Sequence, residues 1–112
     1  MSELSRQYQV QITGHPRESW VQNGVKFDGM IDGTLVDAKC HYVQFVDKTT
    51  GKFYDWFAGK NALIEQAQRQ IVASEGAPIK WFFAEEESME AFKSLLSGNG
   101  IEGIEFVFEP LK

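Results

Sequence analysis

Asp28, Asp37 and Lys39 are the residues of this 112-residue chain whose types and spacing carry chemistry. Two carboxylates and an ammonium gathered on one surface make the set that metal-assisted attack on a phosphodiester requires. A hard divalent cation such as Mg²⁺ or Mn²⁺ takes oxygen ligands and keeps several waters, so two carboxylates leave room for a phosphate and a nucleophile. Such an ion polarises the phosphoryl oxygen and lowers the pKa of bound water. An adjacent ammonium orients that water and stabilises the added negative charge of the transition state.

The elements that position these residues are two alternating segments, 25–31 and 34–40, separated by Asp32-Gly33. That dipeptide is the strongest short-range hairpin signal, because a type I′ turn needs positive φ twice. Closing the hairpin there pairs Ile31 with Thr34, Met30 with Leu35, Gly29 with Val36 and Asp28 with Asp37. The last pair falls in a non-hydrogen-bonded position, where opposed Cα atoms approach to about 4.5 Å. Lys39 lies two residues beyond Asp37, on the same face. Val25, Phe27, Ile31, Val36, Ala38 and Cys40 are expected on the core face, with Lys26, Asp28, Met30, Leu35, Asp37 and Lys39 on the other. A solvated polar face is the plain alternative. Against it, Asp opposes Asp and Lys26 opposes Lys39, and like charges directly opposed in a sheet are destabilising.

The rest of the chain supplies a scaffold. Tyr8–Thr13 alternates up to Gly14 and predicts a first strand; Glu18–Gln22 predicts one helical turn ending at Asn23-Gly24. Val43, Phe45 and Val46 extend the third strand, and 48–51 turn. A helix is expected from Asn61 to Ser74, with Leu63, Ile64, Ala67 and Ile71 as its buried stripe and Gln66 and Gln70 at its border. Ile79–Phe83 reads as a buried strand, Ser88–Leu96 as a second helix and Ile104–Phe108 as a last strand. No repeat or linker interrupts 1–112, so one domain is expected: an α/β sandwich whose mixed sheet is flanked by helices.

Asp28 on one strand and Asp37-Ala38-Lys39 on the next resemble the PD-(D/E)xK motif of the restriction-endonuclease fold. Phe27-Asp28-Gly29, Leu35-Val36-Asp37-Ala38-Lys39, Gln66-Ala67-Gln68-Arg69-Gln70 and Trp81-Phe82-Phe83-Ala84-Glu85 together resemble the restriction-endonuclease-fold toxin domain 5 family, from about Tyr8 to Phe108. The resemblance implies nuclease toxin domains of bacterial polymorphic and type VI secretion effectors, neutralised by an immunity protein. It implies that Asp28 and Asp37 bind Mg²⁺ or Mn²⁺, that Lys39 assists catalysis, and that Gln66 and Gln70 face the site. It further implies DNA as substrate, synthesis in the cytoplasm, export by a dedicated system, and action in the target-cell cytoplasm. Glu18 matches the acidic residue that many members carry ahead of the hairpin. Cys40 departs from the Gly expected after the Lys.

Bulk properties bound the reading. Sixteen acidic against eleven basic residues give a net charge of −5, which taken alone argues against nucleic-acid binding, since that usually leaves a basic footprint. The excess is concentrated in Glu85-Glu86-Glu87, Glu90, Glu102, Glu105 and Glu109, and acidic metal ligands change sign in effect once an ion is bound. The single cysteine excludes an internal disulfide and a cysteine-built metal site. No apolar run approaches the ~20 residues that span a bilayer, and no secretory signal opens the chain. Cys40 and His41 point to opposite faces of a strand, so they do not make a nucleophile pair, while His41 falls on the Asp37/Lys39 face if the strand stays regular. The aromatic group Phe53, Tyr54, Trp56 and Phe57 reads as core or partner interface. A non-catalytic protein-binding module, and the same fold acting on RNA, stay open on residues alone.

Overall fold

The computed structural model describes residues 2–14 and 19–112. Helix α1 spans Glu3–Thr13 and is followed by strands β1 (Trp20–Gln22), β2 (Val25–Phe27), β3 (Gly29–Ile31) and β4 (Thr34–Lys39). A 3₁₀ turn at Val43–Phe45 leads to helix α2 (Lys60–Ser74), then β5 (Ile79–Phe83), α3 (Glu86–Gly98) and β6 (Glu105–Phe108). The main sheet has the order β3-β4-β5-β6, and β1 pairs with β2 in a separate two-stranded ribbon. β3 and β4 are antiparallel, whereas β4, β5 and β6 run parallel, so the sheet is mixed as expected.

The Asp32-Gly33 hairpin forms in the anticipated register, with Ile31, Met30 and Gly29 opposite Thr34, Leu35 and Val36. Both turn residues have positive φ, 50° and 82°. The segment 25–31 is not one strand, however. It breaks at Asp28, with β2 diverted to β1 and only β3 left beside β4.

Two expectations at the N-terminal end are corrected. Tyr8–Thr13 is helical, because the end signals override the alternation. Ser2 Oγ accepts from the Ser5 amide at 3.1 Å, Glu3 occupies the first turn, and Gly14 closes the helix at φ 75°. Trp20–Gln22 is a strand rather than a helical turn. Asn23 and Gly24, at φ 50° and 79°, make a second two-residue hairpin turn pairing Gln22 with Val25. Glu18 lies outside the described residues.

The assignment of faces on β4 is also corrected. The larger core lies on the side of Leu35, where Phe27, Trp81 and Phe83 pack with Leu63 and Ala67 of α2 and Phe92 and Leu96 of α3. Val36 and Cys40 are buried on the opposite side, which α1 covers. There Thr13 sits against Gly29: a Cβ on Gly29 would come within 3.0 Å of the threonine methyl. Of the residues expected in the core, Phe27, Val36 and Cys40 are buried, Val25 and Ala38 are half-buried, and Ile31 is exposed. A strand flanked by two others and covered by a helix on each face has no solvated side.

Long-range ties complete the scaffold. The Tyr8 hydroxyl donates to the Glu109 carbonyl at 2.7 Å, and the Gln11 amide reaches Glu109 Oε2 and the Pro110 carbonyl. Glu85 accepts from the His41 and Tyr42 amides at 3.1 and 3.3 Å, fastening the segment after β4 to the start of α3. Val43, Phe45 and Val46 do not extend β4; the chain makes the 3₁₀ turn and a lone bridge between Val46 and Phe53. Phe53 and Phe57 enter the core, while Tyr54 stacks on an exposed Trp56 at 5.1 Å. α2, β5, α3 and β6 stand where the pattern predicted, within one or two residues at each end.

Candidate active site

Residue Asp28 sits at the point where β2 leaves the sheet, and that departure defines the local hydrogen bonding. The Asp28 amide donates to Asp37 Oδ1 at 2.9 Å, and the Ala38 amide donates to Asp28 Oδ2 at 2.8 Å. Each carboxylate thus replaces a ladder partner that the broken strand no longer offers. The two acids are clasped side by side through these bonds rather than as the ladder pair expected, and Asp28 Oδ1 accepts no hydrogen bond among the described residues.

Asp37 is 3% exposed and would be costly to bury alone. Three donors meet its Oδ2: Gln66 Nε2 at 2.9 Å, Gln70 Nε2 at 3.0 Å and Lys39 Nζ at 3.3 Å. Lys39 Nζ also donates to Gln66 Oε1 at 2.8 Å and lies 4.4 Å from the centroid of the Trp81 ring. The Trp81 indole N–H donates to Gln70 Oε1 at 2.8 Å, which fixes the amide of Gln70 with its NH₂ toward Asp37. Gln70 is fully buried, so it does not coat a surface, and Gln66 is half-buried one turn earlier. All five residues singled out in the sequence therefore converge on one network, which opens to solvent at Asp28 and Gln66.

Burial and the neighbouring charge of Asp37 raise the Asp28 carboxyl to about 6, against the opposing pull of the Ala38 amide, Lys39 and Lys26. Like-charged oxygens held together in this way suit a hard divalent cation. The donor set fits: two carboxylates, each bonded to a backbone amide of the other's segment, one with a free oxygen. Among the described residues no group of three or more His, Cys, Asp and Glu forms, so further ligands would be waters, carbonyls or substrate oxygens.

Trp81 is the member that sequence reasoning missed. It stands beside Asp37 in the parallel register of β4 and β5, and nothing local in Ile79–Phe83 announces that pairing. His41 does not join the cluster: the strand ends at Lys39, and His41 turns outward at φ 70°.

With this geometry in view, the relationship of the chain can be stated. The sequence matches the restriction endonuclease fold toxin 5 family over residues 5–86. The chain belongs to that family. The toxin 5 match contains Asp28, Asp37, Lys39, Gln66, Gln70 and Trp81, and ends at the first residue of α3. Membership accounts for the mixed sheet with helices on both faces and makes this a toxin of restriction-endonuclease fold. No curated protein matches the chain. No helix among the described residues is long and apolar enough to cross a membrane.

Proposed function

We propose that this domain is a Mg²⁺-dependent DNase, acting as an antibacterial effector domain that hydrolyses phosphodiester bonds. The observation that carries the reading is the Asp28–Asp37–Lys39 cluster, with both carboxylates clasped together and an ammonium tethered beside them. Asp28 and Asp37 are the metal ligands. When bound, Mg²⁺ or Mn²⁺ supplies Lewis acidity toward the phosphoryl oxygen and a more acidic water. Lys39, held between Asp37 and Gln66, orients the attacking water and stabilises negative charge on the phosphorane oxygens. Gln66 and Gln70 keep Asp37 in one orientation, and Trp81 keeps Gln70 so.

A cognate immunity protein that covers the opening at Asp28 fits a toxin whose producer must survive its own synthesis. Export by a dedicated system of type VI kind, and action in the cytoplasm of the target cell, complete the reading.

Nicking of a supercoiled plasmid in the presence of Mg²⁺ tests it. The wild-type chain nicks the plasmid, and Asp37→Ala and Lys39→Ala each lose at least about 10²-fold in rate. Full activity of either variant defeats the mechanism. Calorimetric titration with Mg²⁺ or Mn²⁺ adds a second readout: no binding, with no cleavage of DNA or RNA, leaves a non-catalytic binding module. Cleavage of RNA alone moves the substrate and keeps the site.

A further inference from the structure

We infer that a pocket between the β1–β2 ribbon and α2, flanked by Lys26 and Arg69, holds a backbone phosphate of the strand next to the scissile bond. The inference rests on the nuclease reading above and supplies the substrate contact which that reading lacks. The pocket measures about 240 Å³ and is lined by Gly24, Val25, Lys26, Gln66 and Arg69. No acidic residue among the described residues lines it. Gln66 is common to the pocket and to the cluster, since its amide bonds both Asp37 and Lys39. A phosphate seated there is thus one side chain away from the carboxylate pair.

Neither cation is held by a direct partner, although Lys26 acts on the Asp28 carboxyl through space. Lys26 and Arg69 are exposed, and neither side chain has a hydrogen bond or an ion pair among the described residues. By contrast Arg6, Lys39, Lys80 and Lys93 each lie within 4.0 Å of a carboxylate. The walls are fixed with respect to each other. Asn23 Nδ2, in the β1–β2 turn, donates to the Ala73 carbonyl and to Glu75 Oε1 at 2.7 Å, and Gln22 reaches the Ser74 carbonyl at 3.3 Å. The ribbon that carries Lys26 is therefore fastened to the end of the helix that carries Arg69. The backbones that carry the two cations thus keep a fixed spacing, which lowers the cost of bringing both to one phosphate. In a chain of net charge −5, a polyanion needs such a local exception.

Lys52 provides a matched control. It is exposed, it lines a separate pocket of about 230 Å³ beside α3, and that pocket shares no residue with the cluster. The experiment measures binding of a short fluorescein-labelled DNA duplex to the full chain, without divalent cation, across a range of salt concentrations. Lys26→Ala and Arg69→Ala should each weaken binding about three- to tenfold and lower the slope of log K against log salt by about one. Arg69→Lys should restore the slope, and Lys52→Ala should change neither quantity. Plasmid nicking by the same proteins should show the loss as a raised KM. Unchanged slopes for both alanine variants, or an equal effect from Lys52→Ala, overturn the subsite while a cleaving wild type leaves the nuclease reading standing. A wild type that cleaves no nucleic acid overturns both.

Discussion

Asp28 pays for its position. Its carboxyl is desolvated and faces the charge of Asp37, and the raised pKa of about 6 means that the folded protein binds this proton more tightly than the unfolded chain does. The sign follows from linkage: the stability due to this proton is complete below the ordinary carboxylate value. It is lost as pH rises through about 6. In metal-free protein near pH 7, Asp28→Asn should therefore raise the unfolding free energy, on the order of 1–2 kcal/mol after allowance for partial exposure. Asparagine keeps an oxygen for the Ala38 amide, so the clasp survives. Differential scanning calorimetry at pH 4 and pH 7.5 checks this: the gain should appear at the higher pH and shrink at the lower. Under the proposed function the same variant loses Mg²⁺-dependent nicking, and wild-type activity climbs between pH 5 and 7 as Asp28 ionises.

At the scale of elements, Glu85 joins the end of β4 to the beginning of α3 through two backbone amides and a third bond from Ser88 at 2.7 Å. Glu85→Ala leaves both amides without this acceptor and should cost about 1–2 kcal/mol. Thermal unfolding monitored by circular dichroism should show a Tm lower by about 5 °C or more. What could be read from sequence also divides at this scale. The Asp32-Gly33 hairpin, α2, β5, α3 and β6 were legible because turn chemistry and apolar periodicity are local. Asn23-Gly24 carried the same hairpin signal, and taking it as a helix stop hid β1. At Tyr8–Thr13 the alternation masked a helix whose caps, Ser2 and Gly14, were visible. The burial of Asp37 and Lys39 was not legible. It depends on α2 closing over β4 and on the parallel register that brings Trp81 beside Asp37. Asp28, Asp37 and Lys39 stand out in the sequence by type and spacing, and Gln66 and Gln70 by the family resemblance; the hydrogen bonds that join them were not legible.

For the molecule as a whole, the family match ends at residue 86, yet the sheet does not. Trp81 and Phe83 are packed edge-on or tilted against Phe92 of α3 and Phe106 of β6. A chain cut after residue 86 loses both partners and bares the strand that supports Gln70 and Lys39. It should show no cooperative unfolding transition, and refolding of that fragment on addition of a peptide spanning 87–112 would report the same dependence from the other side. The charge distribution belongs to this scale too: the acidic block at the start of α3 carries much of the net negative charge, while Lys26 and Arg69 make a local reversal near the cluster.

The tie between α1 and residues 109–112 has a temporal meaning. Translation runs from the amino end, so within this fold α1 leaves the ribosome well before its hydrogen-bonding partners at Glu109 and Pro110. Until that stretch has emerged, the helix lacks its anchor and the rear of β4 lacks its cover. The two ends of this fold thus meet only after everything between them has been made.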